Sequence, residues 1–368
     1  MVAFRRRRFA DLPEWAAADH GLAHAAFRRS AEQLVSGAFR TGTLGIAAAA
    51  FRDAAASALA TERDDAVARA FFEEYFVPLQ IVPDAAATDG EHGFVTGYYE
   101  PVVEASAIKT PRFRFPLYVP PPELVKIDDV SRPPGMDPSF RFARRKSCGL
   151  LEEHPDRAAI EAGLLRGRGL EIAWLADPVD AFFIHIQGSA RLELTDGRQM
   201  RVGFAAKSGH EFTAIGRLLV DAGELTLAEA DMDGIRAWLA AHPERQRALF
   251  DRNRSFIFFR EAAVDDASLG PVGAAQVPLT ALASIAVDRE LATFGVPYFI
   301  AASQLRIGGR PFNRLMIAQD TGSAIIGPAR ADIYVGSGFE AGRVAGRIRD
   351  AADFTVLVPP RLAESLAR

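Results

Sequence analysis

The first 80 residues carry a helical pattern of apolar positions. Segments such as WAAADHGLAHAAFRRSAEQLV and TLGIAAAAFRDAAASALA are rich in Ala, Leu, Glu and Arg, and their Phe and Leu positions recur at spacings of three and four. These residue types are strong helix formers, and this spacing places the apolar side chains on one face of a helix. The pattern therefore predicts a helical N-terminal segment.

From residue 93 the pattern changes to the one typical of strands. The segment GFVTGYYEPVVEAS (93–106) is rich in Val, Tyr and Thr and is bounded by Gly and Pro, and RFRFPLYVPP continues in the same style. Prolines in such runs indicate sheet edges or exits. Residues 123–150 are rich in Pro, Asp and Ser and are predicted to form a loop.

The segment EIAWLADPVDAFFIHIQGSARLELTDGRQMRVGF (171–204) is interpreted as almost entirely strand, with the dipeptide Asp196-Gly197 as a hairpin turn. In this interpretation His185 shares one strand face with Phe183 and Gln187, because side chains alternate along a strand. A histidine there is more often a satisfied, half-buried residue than a ligand.

Two helices are predicted next, EFTAIGRLLVDAG and LAEADMDGIRAWLAAHP, followed by short strands from residue 255 to the C-terminus. A helix at about residues 340–350 interrupts these strands. Helices, then strands, then helices, then strands again indicate the α+β class, mainly β, with two β-rich bodies.

Composition and charge narrow the classes of function. The chain has 368 residues, which favours about two domains, and 49% hydrophobic residues describe an ordinary globular core. The formal net charge of −4 gives no reason to expect nucleic acid as a partner. The basic run Arg5–Arg8 is interpreted as a solvated terminus. No apolar stretch is long enough to span a bilayer, and no signal peptide is visible at the start.

Two motifs imitate cofactor sites. The segment GSGFEAG (336–342) resembles a dinucleotide-binding loop, but the thirty or so residues after it are too few for the rest of a doubly wound sheet. His20 and His24 lie four residues apart on a predicted helix without an acidic third ligand, and a solvated helix face is the preferred interpretation. Neither a metal nor another cofactor is expected.

Two carboxylates lie in apolar surroundings near the C-terminus. The segment AQDTGSAIIGPARADIYVG (318–336) contains Asp320 and Asp332, with Arg330 as the one opposite charge. The tetrapeptide DTGS is typical of aspartic proteases, whose chemistry needs two carboxylates sharing one proton. A second such loop is missing from the sequence, so a protease would have to be a homodimer. This hypothesis stays open as a minor alternative.

The C-terminal segment resembles the three-aspartate domain, a double-psi β-barrel module, with Asp288, Asp320 and Asp332 as its three acids. Five further blocks follow in chain order: GFVTGYYEP (93–101), FFIHIQGSARLEL (182–194), AKSGHEFTAIGRLL (206–219), NRSFIFFRE (253–261) and GAAQVPLTALASIAVD (273–288). With these blocks, nearly everything after residue 90 resembles the membrane-bound lytic murein transglycosylase A family. Several independent blocks in register make the resemblance specific.

The resemblance implies cleavage of the β-1,4 bond between N-acetylmuramic acid and N-acetylglucosamine in peptidoglycan. The muramyl C6 hydroxyl, rather than water, attacks C1 and leaves a 1,6-anhydro end. The family uses one catalytic aspartate, which corresponds to Asp332 in ADIYVG.

A single acid suffices for this chemistry. Ordinary glycosidases need two carboxylates because acid and nucleophile or base act on opposite faces of the sugar. When the substrate supplies the nucleophile, one residue can donate a proton and then take one back. Its pKa should be raised by apolar neighbours such as Ile333 or by the like charge of Asp320. Asp320 could alternatively form an Asx-turn, and Asp288 a turn or cap, with no further role.

Several residues are candidates for substrate binding within the resembling blocks. Aromatic rings can lie against sugar C–H groups, and a loop such as IQGS suits acetamido and hydroxyl groups. The same positions could instead be core aromatics and a bulged hairpin with an obligatory glycine. The candidates are Thr96, Tyr98, Tyr99, Gln187, Gly188, Ser189 and Lys207.

The predicted architecture has a discontinuous barrel domain, residues 1–103 and 245–368, and an inserted smaller β domain, residues 104–244. The glycan strand is expected in a groove between them, since ligands often bind at domain interfaces. A monomer acting on peptidoglycan glycan strands is expected, with other cell-wall enzymes as candidate partners.

The expected location is the periplasm, with outer-membrane association left open. Familiar members are anchored through an N-terminal cysteine, whereas the single cysteine, Cys148, lies in mid-chain. A catalytically silent peptidoglycan-binding protein of the same fold is the second hypothesis.

Overall fold

The computed structural model describes residues 2–60, 65–82, 92–262 and 266–366. The α-helices are α1 (His20–Ser36), α2 (Arg52–Ala60), α3 (Asp65–Tyr75), α4 (Arg157–Ala159, continued by a π-helical turn), α5 (Pro178–Gln187), α6 (Ile215–Asp221), α7 (Met232–Ala241), α8 (Pro243–Asp251), α9 (Phe339–Ala345) and α10 (Pro360–Leu366).

The strands that precede α6 are β1 (Ala3–Arg6), β2 (Val77–Val82), β3 (Gly93–Glu100), β4 (Val102–Ser106), β5 (Phe115–Tyr118), β6 (Leu124–Lys126), β7 (Phe142–Arg145), β8 (Leu151–Glu152), β9 (Glu171–Leu175), β10 (Ser189–Leu194) and β11 (Gln199–Lys207). The later strands are β12 (Ile257–Ala262), β13 (Ser284–Val287), β14 (Pro297–Ile307), β15 (Arg310–Asp320), β16 (Arg330–Ser337) and β17 (Arg349–Val358).

The chain divides into two compact units. The first comprises Met1–Tyr99 and Ser268–Arg368, and the second comprises Glu100–Ala267. The sequence placed the second boundary near residue 245, whereas residues 245–267 lie in the second unit. The reason is that β12 pairs antiparallel with β11, from Arg201 opposite Ala262 to Lys207 opposite Ile257.

The first unit is built on a closed β-barrel. Its strands run in the order β17-β14-β15-β13-β16-β3, and β3 pairs back onto β17, while β2 and β1 extend the sheet outward from β17. Buried residues such as Ile285, Ile317, Ile333 and Val356 form its core. The predicted α+β class with a barrel domain and a helical N-terminal segment is confirmed.

The basic run near the N-terminus overlaps a strand that pairs with the barrel sheet, while most of its side chains are exposed. β1 pairs antiparallel with β2, with Arg5 opposite Gln80 and Arg6 opposite Leu79. The Arg7 guanidinium donates to the Gln80 amide oxygen at 3.0 and 2.6 Å. The side chains of Arg5, Arg6 and Arg8 are exposed, which supports the interpretation as a solvated terminus. The backbone pairing with a distant strand was not predicted, because it leaves no signal in a short basic run.

The two histidines of α1 are buried, and their interpretation as a solvated helix face was wrong. His20 and His24 are 3% and 2% exposed. The His20 ring stacks edge-on against Trp15 at 4.5 Å, and the His24 ring against Phe71 at 4.8 Å.

Within the described ranges, no three His, Cys, Asp or Glu residues are grouped so that they could hold a metal ion.

The second unit contains a six-stranded sheet, β12-β11-β10-β4-β9-β5, and a three-stranded sheet, β6-β7-β8. The predicted loop at residues 123–150 therefore contains two short paired strands, β6 and β7, with Val125 opposite Ala143. The hairpin predicted at Asp196-Gly197 is confirmed, since β10 and β11 pair around it.

Throughout the described ranges, no helix is both long and apolar enough to cross a lipid bilayer.

Helix α5 replaces strand in the segment interpreted as almost entirely extended. Asp177 caps it by accepting from the Val179 amide at 2.8 Å, and Pro178 occupies its first turn. An Asp-Pro pair is a helix-start signal, because proline has no N–H to lose there and its φ suits the helix. Most of the apolar residues that follow are buried on one helix. The prediction of a strand was wrong because a short apolar run does not by itself distinguish a buried helix from a strand.

Candidate functional site

Strand β3 carries two polar side chains on one face and a packed face on the other. Val95 is fully buried in the barrel core, and a Cβ on Gly97 would lie 2.8 Å from Ile348 Cδ1. The residues that alternate with Val95 and Gly97 along the strand, Thr96 and Tyr98, are half-buried. Because side chains alternate along a strand, Thr96 and Tyr98 point together away from the core.

Strand β16 repeats this arrangement with charged residues. Ala331 and Ile333 are fully buried, whereas Arg330 and Asp332 are half-buried and lie on the opposite face. The fold brings this face of β16 beside the outer face of β3, since the two strands are neighbours in the barrel. Period-two alternation in both strands thus assembles one polar cluster on an otherwise apolar scaffold.

The carboxyl group of Asp332 is held through one oxygen. The Thr96 hydroxyl donates to its Oδ1 at 2.6 Å. The described residues provide no hydrogen bond to Oδ2. One oxygen is therefore fixed while the other can carry or exchange a proton.

Arg330 sets the direction of the Thr96 hydrogen bond. Its Nη2 donates to Thr96 Oγ1 at 2.8 Å, and its Nη1 donates to the Ala331 carbonyl oxygen. Its guanidinium also lies 5.5 Å from the centroid of the Phe94 ring. Since Thr96 Oγ1 accepts from Arg330, its single proton is directed toward Asp332.

Burial raises the pKa of Asp332 to about 6. The Thr96 hydrogen bond and the Arg330 charge lower this pKa, and the nearby charge of Asp320 raises it. Although part of the residue is exposed, its carboxyl lies among enough protein atoms to lose much of its hydration. The sequence predicted a raised pKa from apolar neighbours and a like charge, and the geometry supplies both causes.

Asp320 is held by three donors from separate parts of the unit. Its Oδ1 accepts from the amides of Ala274 and Thr321 at 3.0 and 2.9 Å, and its Oδ2 accepts from the Tyr98 hydroxyl at 2.9 Å. Burial raises the pKa of Asp320, and these hydrogen bonds lower it. The local Asx-turn considered for Asp320 is not what forms, because its partners include a strand and a segment far away in sequence.

Asp288 ties down the loop between β15 and β16. Its Oδ1 accepts from the Glu290 amide at 3.0 Å and its Oδ2 from the Gly327 amide at 2.9 Å. The Thr321 hydroxyl adds a bond to the Val287 carbonyl oxygen at 2.8 Å. The bond to the Glu290 amide is the local turn contact considered from the sequence, and the bond to the Gly327 amide, which was not predicted, anchors the distant loop.

Tyr98 and Tyr334 form an aromatic pair beside the two acids. Their ring centroids lie 5.4 Å apart, and burial and the Asp320 charge raise the pKa of Tyr98 well above its usual value. A Cβ on Gly270 would lie 2.4 Å from the Tyr334 ring, so only glycine fits there. Tyr98 thus remains a donor to Asp320 under all ordinary conditions.

Tyr99 does not belong to this cluster, so its selection as a substrate-binding residue was wrong. It is 6% exposed, and a Cβ on Gly342 would lie 2.8 Å from its ring. The reason is the same alternation that exposes Tyr98, because adjacent strand residues face opposite ways. Of two consecutive tyrosines in a strand, only one can therefore point toward a site on a given face of the sheet.

The other predicted substrate-binding residues lie in the second unit. Gln187 ends α5, Gly188 caps it with a φ of 76°, and Ser189 begins β10. Gly188 is therefore required by the helix end rather than by the bulged hairpin considered from sequence. Lys207 ends β11, and burial followed by the Arg141 charge lowers its pKa.

His185 is a satisfied core residue. It is 6% exposed on α5, and its Nδ1 accepts from the Ile257 amide at 3.1 Å. Burial lowers its pKa well below the usual value, so the ring is neutral. The favoured structural interpretation of His185 is supported, although it lies on a helix and not on a strand face.

Two functional features of the cluster escaped the sequence interpretation. Arg330 was noted only as an isolated opposite charge, although its position two residues before Asp332 in a strand indicates a shared face. The Ala274 amide that binds Asp320 carries no side-chain signal at all. Backbone donors become visible only when distant segments are brought together.

Two family models match the chain. One, described as the MltA specific insert domain, matches residues 94–260, and another, described as the 3D domain, matches residues 283–358. Together they cover the insertion and the barrel segment that carries all three of the aspartates discussed above.

Similar proteins agree with these matches. The curated membrane-bound lytic murein transglycosylase A of Escherichia coli (strain K12) is 34% identical over 259 residues, covering 68% of this chain and 61% of that protein. The chain thus matches about three fifths of the length of that relative.

Among solved structures, a membrane-bound lytic murein transglycosylase from Agrobacterium tumefaciens is 46% identical, covers 99% of both chains and superposes with a TM-score of 0.90. Escherichia coli MltA with bound chitohexaose is 27% identical, covers 93% of this chain and 89% of that chain, and has a TM-score of 0.67.

Proposed function

The chain belongs to the membrane-bound lytic murein transglycosylase A family, and from that premise we propose that it cleaves peptidoglycan glycan strands with Asp332 as the single acid and base. The observation that carries this proposal is the Asp332 carboxyl, fixed through Oδ1 and raised in pKa to about 6. A carboxyl with this pKa can both donate and accept a proton near neutral pH.

The first step is protonation of the leaving group. Protonated Asp332 donates through Oδ2 to the glycosidic oxygen as the bond between that oxygen and the muramyl C1 breaks. The developing oxocarbenium character at C1 is accommodated while the carboxylate forms beside it. Thr96 stabilises the new negative charge through the bond to Oδ1, and Arg330 adds a positive charge nearby.

The second step closes the sugar ring. The C6 hydroxyl attacks C1, and the Asp332 carboxylate takes the hydroxyl proton, which restores the acid. One carbon–oxygen bond breaks, another forms, and no water is consumed, so the product ends in 1,6-anhydromuramic acid. This balance explains why one carboxylate suffices where ordinary glycosidases need two.

Asp320 is assigned a supporting role. Its carboxyl is saturated by the Ala274 and Thr321 amides and the Tyr98 hydroxyl, so it is poorly placed to exchange protons. Its charge raises the pKa of Asp332. The aspartic protease alternative would need this same carboxyl to share a proton with a second one, which these three donors disfavour.

We also propose the substrate contacts. Tyr98 is assigned a place beside the sugar at the Asp332 cluster, and Gln187, Gly188, Ser189 and Lys207 are assigned to glycan binding by the second unit. Chitohexaose bound to the Escherichia coli relative supports recognition of a β-1,4-linked glycan. We place the protein's activity in the periplasm, where its substrate lies.

The test is digestion of purified murein sacculi followed by mass analysis of the muropeptides. We expect products that carry the anhydro end, each lighter by one water than a hydrolytic product. Hydrolytic products alone would contradict the mechanism. Retained glycan binding without any product would favour the silent binding protein.

A further inference from the structure

Phe94 presents an exposed aromatic ring on the same face of β3 as Thr96. Phe94 is 39% exposed, whereas the next residue, Val95, is fully buried in the barrel core. Side chains two residues apart along a strand point the same way, so Phe94, Thr96 and Tyr98 form one row on the outer face of β3. Phe94 is therefore roughly 7 Å along the strand from the residue whose hydroxyl binds Asp332.

The backbone and the ring of Phe94 are both held in place. Its amide donates to the Ala329 carbonyl oxygen at 2.9 Å, and the Arg330 guanidinium lies 5.5 Å from the centroid of its ring. A guanidinium in this position is attracted by the quadrupole of the ring. Arg330 also donates to Thr96 Oγ1 at 2.8 Å, so one side chain connects the exposed ring to the hydroxyl that holds Asp332.

The neighbour of Phe94 on β17 is a small residue. The two strands pair antiparallel, with Ala351 opposite Phe94 and Arg349 opposite Thr96. Residues directly opposite each other share a face of the sheet, with their Cβ atoms about 5 Å apart. Ala351 is accordingly exposed, whereas Ala352 is buried in the core. The methyl group of Ala351 leaves the Phe94 ring uncovered on the β17 side.

The chemistry of an exposed phenyl ring favours a ligand that presents C–H groups. The ring has a large apolar surface and no polar group of its own, so it stacks and does not donate a hydrogen bond. A β-linked glucopyranose has equatorial substituents and therefore presents axial C–H groups on both faces of its ring. N-acetylglucosamine, the sugar that alternates with muramic acid in peptidoglycan, has this configuration.

We propose that Phe94 binds, by stacking, the N-acetylglucosamine residue next to the muramyl residue in the glycan strand. The assignment rests on the proposed function, which places the muramyl residue at Asp332. In this arrangement Arg330 fixes the ring and Ala351 keeps it accessible. Phe94 contributes binding of the strand and no proton transfer, so its removal should act mainly on KM.

The binding test is calorimetric titration with chitohexaose, a β-1,4-linked oligomer of N-acetylglucosamine, in the Asp332→Asn background to prevent turnover. Phe94→Ala should weaken binding at least about tenfold, whereas Phe94→Tyr, which keeps the ring, should stay within about twofold. The control is Val35→Ala, which removes an exposed apolar side chain from α1 and should leave binding unchanged. Equal affinities of the Phe94→Ala protein and its parent would overturn the proposal.

A second substitution blocks the ring without removing it. Ala351→Leu places a larger side chain opposite Phe94 on the same face and should weaken chitohexaose binding at least about threefold. Thermal unfolding checks that each variant is folded. If Phe94→Ala is unfolded, Ala351→Leu decides the question, since Ala351 is exposed. Unchanged binding by a folded Ala351→Leu protein would then overturn the proposal.

Kinetics on soluble glycan strands distinguishes sugar binding from a purely structural role of the ring. A ring that only held Arg330 would act through Asp332, so Phe94→Ala would lower kcat, shift the alkaline limb of the pH–rate profile and leave KM unchanged. We expect instead that kcat/KM falls at least about tenfold through KM while the alkaline limb stays in place. A lower kcat with an unchanged KM would refute the stacking role.

The two proposals can fail separately. If the wild-type protein releases no lytic product while chitohexaose binding still depends on Phe94, the proposed function fails and the sugar site stands. If the wild-type protein digests sacculi and Phe94→Ala changes neither chitohexaose binding nor KM, the sugar site fails and the proposed function stands.

Discussion

The Glu100 cluster and the Asp332 cluster differ in how the charge of the carboxyl group is compensated. In the second unit, Glu100 is fully buried, and Arg201 and Arg191 lie 2.6 and 3.2 Å from its oxygens. In the first unit, Asp332 receives one neutral hydroxyl bond, and Arg330 contacts its partner Thr96 rather than the carboxyl itself. The charge of Glu100 is compensated by direct ion pairs, whereas the Asp332 carboxyl has no direct ion pair among the described residues.

This difference separates a carboxyl group that stabilises the fold from one that can exchange a proton. A buried carboxylate held by two guanidinium groups belongs to a structural ion cluster, and removing one partner of such a cluster is costly to the fold. A buried carboxyl without a direct cation keeps a raised pKa and can exchange a proton. Substitutions at Asp332, Glu100, Thr96 and Tyr98 test this difference.

Asp332→Asn should abolish the release of anhydromuropeptides from sacculi, with a loss of at least about a thousandfold. The amide can neither donate the required proton nor reclaim it. Mass analysis of the digested sacculi measures the loss. Asp353→Asn, which alters an exposed acid paired with His92, serves as the control and should digest sacculi normally.

The same substitution should not destabilise the fold at pH 7. The folded pKa of about 6 lies above the usual value of an aspartate, so the folded state binds more protons between these two values. Stability therefore falls as pH rises through that window, and the charged carboxylate is a cost above it. A markedly lower unfolding midpoint of Asp332→Asn at pH 7 would contradict the comparison.

Glu100→Gln should cost about 3–5 kcal/mol of unfolding free energy, because Arg191 and Arg201 lose their compensating charge in a buried place. Denaturant unfolding measures this loss. The control is Glu104→Gln, whose pair with Arg112 is exposed and should contribute less than about 1 kcal/mol. Equal effects of the two substitutions would remove the contrast between the clusters.

Thr96→Val should move the alkaline limb of the pH–rate profile to higher pH. In the wild type, kcat/KM should fall about tenfold per pH unit above about 6, because the acid must be protonated. The Thr96 hydroxyl lowers the pKa of Asp332, so its removal raises that pKa by up to about one unit. Thr96→Ser, which keeps the hydroxyl, should leave the limb in place.

Tyr98→Phe should have the smallest effect, a loss of no more than about tenfold in kcat/KM. It removes one of three donors to Asp320 and leaves both backbone amides in place. Kinetics on soluble glycan strands measures it. Should Tyr98→Phe equal Asp332→Asn, Asp320 would be a direct participant rather than a supporting charge.

From the sequence alone, the ordered motif blocks indicated the family, and the resemblance to that family implied the barrel and the three acids. The spacing of apolar positions indicated the α+β class with two β-rich bodies. The raised pKa of Asp332 was also predictable in direction, since burial and a neighbouring acid act the same way wherever they occur.

The face that each residue occupies and the partners that it meets depend on the three-dimensional packing of the chain. It turned residues 178–187 into a helix, buried Tyr99 behind Tyr98, paired the basic N-terminal run with β2 and directed the Ala274 amide to Asp320. Hydrogen bonds between segments far apart in sequence depend on how the chain closes into the barrel, and no local pattern encodes that closure.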